Sequence, residues 1–156
     1  MTGRRPELPI VAPETASAPA GEPSAARPAL RDEDLHSLLV AFYDTVGRDE
    51  LLAPYFAPVD MSAHMPRIVD FWSTLLFHTG RYSGNAFRPH LEMPGLSAPH
   101  FARWVETMER TIDAHAAGPA AEHMKALAHR IAYSMQLRLG IEPFADFRPM
   151  VSPDER

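Results

Sequence analysis

Eight histidines and no cysteines set the terms of any chemistry this chain can do. Without thiols there are no disulfides, no thiolate ligands for zinc or iron–sulfur clusters, and no cysteine nucleophile. Histidine remains, as a neutral ligand or as a proton carrier. His90 lies in Phe87-Arg88-Pro89-His90-Leu91-Glu92-Met93-Pro94, with aromatic and thioether side chains near it and prolines on either side that limit the backbone. An imidazole held in one direction beside an apolar surface is what axial ligation of a haem requires. On spacing alone the same residue reads as a loop histidine at a turn.

Three further residues sit on inner faces of helical patterns. His64 precedes Ile68 by four and Phe71 by seven, so it points with the apolar stripe; its ordinary reading is a core histidine bonded to a neighbour. Tyr43 follows Leu39 by one turn, and a buried tyrosine usually finds a carbonyl for its hydroxyl. Trp104, taken alone, is a core tryptophan. Other chemistries lack their parts. Asp70 and Glu92 are off the stripes of His64 and His90, and His123 and His129, six apart, do not share a helical face. No inward carboxylate therefore completes a non-haem metal site. No Gly-x-Ser-x-Gly elbow is present.

The elements that must position these residues are helical. Leu35, Leu38, Leu39, Phe42, Tyr43 and Val46 form one stripe, with Gly47 as a stop. Leu51–Phe56 is a short turn-like piece interrupted by Pro54. A longer helix is expected over Ser62–Thr79, with Met61, His64/Met65, Ile68, Phe71/Trp72 and Leu75 on its apolar face and Gly80 ending it. Pro66 falls in its first turns, where a missing N–H does least harm. Gly80–Pro99, with three glycines and three prolines, reads as loop with room for a short helix near Phe87–Leu91. Ser97 then caps a helix carrying Phe101, Trp104/Val105, Met108 and Ile112. Gly118-Pro119 separates it from a last helix, to about Gly140, with Met124, Leu127, Ile131, Met135 and Leu139 inside. Four main helices and no convincing strand make an all-α domain.

The 156 residues suffice for one domain, and 46% hydrophobic content suffices for a core. The first 30 residues hold six of the 16 prolines and seven alanines, with few large apolar side chains. Residues 1–30 are expected to form a disordered arm, with a docking tail as the functional alternative. Residues 31–140 form the domain, and 141–156 a weakly ordered tail. A net charge of −5 without a basic stripe speaks against nucleic acid. No apolar run approaches a membrane span, and no apolar stretch follows Arg4 and Arg5 as a secretory signal would. The expected location is cytoplasmic.

The combination of these features resembles a known family, the group III truncated haemoglobins of bacteria. The likeness covers roughly Leu35–Leu139. It rests on Ala41-Phe42-Tyr43, on Phe56, and on His64 ahead of Phe71-Trp72. It continues through Gly80-Arg81-Tyr82-Ser83-Gly84, Pro89-His90-Leu91-Glu92-Met93-Pro94 and His100-Phe101-Ala102-Arg103-Trp104, in order and at near-family spacing.

The resemblance implies a truncated globin-like two-over-two helical sandwich holding haem b. His90 matches the proximal iron ligand, and Tyr43, His64 and Trp104 match the polar groups of the distal pocket. Phe56, Ile68, Trp72, Phe87, Met93 and Phe101 match walls of the crevice. Arg67 is placed to reach a propionate, with Arg81 and Arg88 as competitors. Expected ligands are O2, NO, CO or peroxide, with a reductase as electron source and a monomer or weak homodimer as the assembly. The polar pocket points to a redox or detoxifying role, with NO dioxygenase- or peroxidase-like activity, rather than oxygen transport. The reading from a different class is a helical interaction module without haem. Pro66 departs from the family pattern and leaves the direction of His64 open between gating the pocket and bonding the ligand.

Overall fold

The computed structural model describes residues 27–143. The expected arm up to residue 26 and the tail from residue 144 lie outside them. Five helices follow in order: α1 (Leu35–Val46), α2 (Ala53–Phe56), α3 (Met61–Phe77), α4 (Ala98–His115) and α5 (Pro119–Arg138). Short 3-10 turns at Asp32–Asp34 and Arg88–Glu92 precede α1 and α4. There are no strands among the described residues beyond one isolated bridge, Ala29 with Ala117. Helix α1 packs on α3, α4 packs on α5, and α1 crosses α4, which stacks one helix pair on the other as the expected two-over-two sandwich. No described helix is long and apolar enough to cross a membrane.

The core follows the apolar stripes. Leu35, Leu38, Leu39, Phe42 and Val46 of α1 are fully buried against Met65, Trp72 and Leu76 of α3 and Met108 and Ile112 of α4. Phe42 is the largest of these and touches the rings that matter most, so Phe42→Ala is expected to cost about 3–5 kcal/mol. Urea unfolding checks this; a loss below about 1 kcal/mol would mean that the site collapses around the gap.

Helix ends follow local chemistry. At the start of α3 the Asp60 carboxylate accepts from the Ala63 N–H at 3.2 Å. Pro66 sits in its second turn. The end comes earlier than expected: His78, not Gly80, takes the left-handed cap, at φ 55°. At α4 the Ser97 N–H donates to His100 Nδ1 at 3.1 Å, and the Ser97 hydroxyl lies 2.8 Å from the same nitrogen. Gly118 takes φ 92° and ψ −174° between α4 and α5, a conformation essentially reserved for glycine. Gly118→Ala meets no clash there, so its expected cost of about 1–3 kcal/mol is purely backbone strain, readable as a lowered melting temperature.

Two expectations are corrected. Residues 27–30, expected to belong to the arm, lie against the domain. The Pro28 carbonyl accepts the Ala117 N–H at 3.0 Å, and Leu30 is buried in the core. On α5 the face against α4 is built largely from Ala121, Ala128 and Ala132 with Met124 and Met135, while Leu127, Ile131 and Leu139 are only half-buried. Small side chains let the two helices approach closely, and the larger ones line their shoulders.

Candidate functional site

The His90 ring is fixed by its own segment. Asn85 Oδ1 accepts the N–H groups of Phe87 and Arg88 at 3.0 and 3.3 Å, which starts the 3-10 turn. The His90 N–H reaches the Phe87 carbonyl at 3.0 Å, and the Met93 N–H reaches the His90 carbonyl at 3.2 Å. The Tyr55 hydroxyl of α2 donates to the Pro94 carbonyl at 2.8 Å and ties down the far end. Within this frame His90 Nδ1 lies 2.9 Å from the Ala86 carbonyl oxygen. A carbonyl oxygen only accepts, so Nδ1 carries the proton and Nε2 keeps its lone pair. Burial holds the His90 imidazolium below the ordinary histidine range, against the opposing pull of the Ala86 and Phe87 carbonyls. The ring is therefore neutral, oriented and open at one nitrogen.

Tyr43 on α1 and Trp104 on α4 are brought together by Phe42. Their rings meet it edge to face, with centroids 4.8 and 5.8 Å away. Phe56 packs on the Tyr43 ring at 5.6 Å. Neither the Tyr43 hydroxyl nor the Trp104 N–H has a hydrogen-bond partner among the described residues. Tyr43 is half-buried, yet enough protein surrounds the phenol that burial pushes it well above its usual value. At neutral pH it is an unused donor.

Helix α3 presents two adjacent lines. Met65, Trp72 and Leu76 are buried in the core; His64, Ile68, Phe71 and Leu75, one step round the helix, run from exposed to half-buried. The structure thus places His64 at the solvent end of an apolar line, without a side-chain bond, and not in the core. Trp72 is a core residue, 2% exposed, whereas its neighbour Phe71 stands on the same line as His64. Phe87 and Met93 are half-buried beside His90 in sequence, and Phe101 of α4 is buried in a second cluster that Phe87 and Trp104 pack against.

The three arginines differ. Arg81 is occupied: its Nη2 donates to both Asp32 oxygens at 2.9 and 2.8 Å and to Ser73 Oγ at 2.6 Å, and its Nε lies 3.4 Å from Asp70. It ties the turn before α1 to α3. Arg88 is exposed without an ion pair among the described residues. Arg67 is exposed too, but its guanidinium and the Tyr82 hydroxyl converge on Gly84, where an added Cβ would lie 3.5 and 3.1 Å from them. Tyr82 itself packs edge to face on Phe71 at 5.3 Å. The sequence reading missed the Ala86 carbonyl, the bridging role of Phe42 and the tethering of Arg81. Only Asn85, an Asx residue ahead of a turn, carried a local signal.

Fold and helix order are those of the truncated globins. Within that class the likeness is to the group III truncated haemoglobins. No protein-family model matches the sequence. A group 3 truncated haemoglobin of Campylobacter jejuni is 26% identical over 90 residues, covering 54% of this chain and 71% of the relative. The crystal structure of a group III truncated haemoglobin from Campylobacter jejuni superposes with a TM-score of 0.65 at 25% identity, covering 71% of this chain and 92% of that one.

The residues present fit the haem that such a fold implies. An imidazole is neutral, with Nδ1 anchored and Nε2 unused. An apolar line on α3 is left half-covered, and two donors on α1 and α4 lack partners among the described residues. A flat apolar group held by His90 would use all three.

Proposed function

We propose that this chain holds haem b on His90 and binds dioxygen and related diatomic ligands in a crevice whose donors are Tyr43 and Trp104. The observation that carries this reading is the hydrogen bond from His90 Nδ1 to the Ala86 carbonyl. It fixes the tautomer and ring direction that an axial ligand needs, and it raises the basicity of Nε2. Haem held by His90 would supply iron-centred binding of O2, NO, CO or peroxide. The chain supplies the surroundings. Phe56, Ile68, Phe71, Phe87 and Met93 exclude water from the flat faces. Tyr43 and Trp104 donate to a ligand that gathers negative charge. Arg67, beside Tyr82 and Gly84, meets a propionate; Arg81, held by Asp32, does not. His64, at the solvent end of α3, gates entry.

Two donors in an apolar crevice hold such a ligand tightly, which suits oxidation of nitric oxide or consumption of peroxide, with electrons from a reductase, better than oxygen delivery. Absorption spectra of the purified protein test the haem assignment. The expected result is an intense Soret band and a five-coordinate ferrous form that takes up CO. A colourless protein that does not take up added haemin would leave the helical interaction module as the answer.

A further inference from the structure

Helix α2 is a single turn, and its last two side chains meet different parts of the molecule. Phe56 packs on the Tyr43 ring, with 5.6 Å between centroids. Tyr55 contacts the other side. Its hydroxyl donates to the Pro94 carbonyl, 39 residues along the chain, at 2.8 Å. Its ring meets the His100 ring edge to face at 5.2 Å. Pro94 follows Met93, whose N–H is bonded to the His90 carbonyl at 3.2 Å, and His100 precedes Trp104 by one turn. The elements that meet at Tyr55 therefore carry His90 and Trp104, and the neighbouring Phe56 touches Tyr43. The surroundings hold Tyr55 in place. Asp49 Oδ1 accepts the Leu51 and Leu52 N–H groups at 2.9 and 3.3 Å at the entry to α2, and Asp49 Oδ2 takes Arg103 of α4 at 3.0 Å. Gly95 adopts φ 80°, and a Cβ there would stand 3.3 Å from the Tyr55 hydroxyl. The Ser97 N–H donates to His100 Nδ1, which fixes the ring that Tyr55 leans on.

We propose that Tyr55 is a positioning residue that sets the His90 turn through the Pro94 carbonyl and, through Phe56, couples that turn to the Tyr43 side of the pocket. The proposal rests on the assignment of haem to His90. The bond to the Ala86 carbonyl anchors the His90 ring to the chain before it, and the Tyr55 bond anchors the chain after it. With both in place the turn resists pivoting about either end. Outer partners of this kind tune metal affinity about 10–100-fold. A one-turn helix is too short to bend between adjacent residues, so a displacement of Phe56 by the Tyr43 ring is passed to Tyr55. Such a link is coupling only if a change at one end is felt at the other, and each end can be altered separately.

Amide hydrogen exchange in the full-length protein reads the turn directly, with or without haem. Tyr55→Phe removes one oxygen and keeps the ring on His100. It should speed exchange at the His90 and Met93 N–H groups about three- to tenfold, the loss of one neutral hydrogen bond, and leave α5 unchanged. Phe56→Leu alters only the Tyr43 end and should speed exchange at the same two groups by a smaller factor. His100→Gln keeps a capping box with Ser97 and leaves the hydroxyl bond, so the turn should change little. In the haem-loaded protein, Tyr55→Phe should shift the iron–histidine stretching band of the ferrous form and speed oxygen release although Tyr43 is intact. Three results would overturn the proposal. The first is unchanged exchange at His90 and Met93 in Tyr55→Phe. The second is a response to Tyr55→Phe but none to Phe56→Leu, which would make Tyr55 a local tie. The third is an unaltered iron–histidine band in a Tyr55→Phe protein that holds haem on His90. A protein that takes up no haem would sink the functional reading, and exchange would still decide whether Tyr55 sets the turn and whether α2 couples it to Phe56.

Discussion

A His90→Gly protein is expected to fold with unchanged far-ultraviolet dichroism while losing its hold on haem. His90 is half-buried in a 3-10 turn, outside both buried clusters, so removing the ring opens no large cavity in the core. The turn is secured by Asn85 Oδ1 and by the backbone bonds of Phe87 and Met93, which the substitution leaves in place. What disappears is the one anchored, neutral imidazole. Changes to the outer partners of a ligand typically cost about 10–100-fold in metal affinity, and loss of the ligand itself should exceed that. Haem transfer to an excess of apomyoglobin measures it. Free imidazole should restore the five-coordinate ferrous spectrum, because the Ala86 carbonyl remains to receive its N–H. A variant that kept its haem and an unaltered spectrum would remove His90 from the assignment.

How much of this was legible in the sequence depends on the range of the interactions. Helix α4 could be read almost to the residue: Ser97 starts it, and its stripe from Phe101 to Ile112 is buried as the period requires. The turn around His90 was also visible, displaced by one residue from the expected Phe87–Leu91. The buried face of α5 was not. Alanine fits either side of a helix, so Ala121, Ala128 and Ala132 carry no periodic signal until α4 is known to press on them. The boundary of the arm failed for the same reason. Leu30 looks like any residue beside a proline-rich stretch, and only the pairing of Pro28 with Ala117 reveals that the chain has already joined the domain. At the site, Tyr43 and Trp104 were recognisable as inner-face residues. That Phe42 joins them, or that Arg81 is taken by Asp32 across 49 residues, is a fact of tertiary contact.

The second large effect is on the oxygen dissociation rate. A hydrogen bond to a charged or partly charged group contributes about 1.5–3 kcal/mol, and about 1.4 kcal/mol is tenfold in rate. Tyr43→Phe is therefore expected to speed oxygen release about tenfold or more, and Trp104→Phe comparably. The tyrosine change is the cleaner one. It removes only the hydroxyl, and the edge-to-face packing of that ring on Phe42 and Phe56 survives. The tryptophan change also loosens the contact with Phe42, so packing and donation must be separated. Carbon monoxide does this. It gathers little charge and gains little from a donor, so its release should change much less in Tyr43→Phe than that of oxygen. Any large effect of Trp104→Phe on CO is then steric. Because both rings lean on Phe42, the double variant should deviate from additivity, and the size of the deviation measures their coupling through that ring. If neither substitution altered oxygen release, the two unpartnered donors would not be facing the ligand. The case for a redox or detoxifying role, which rests on their polarity, would fall with them.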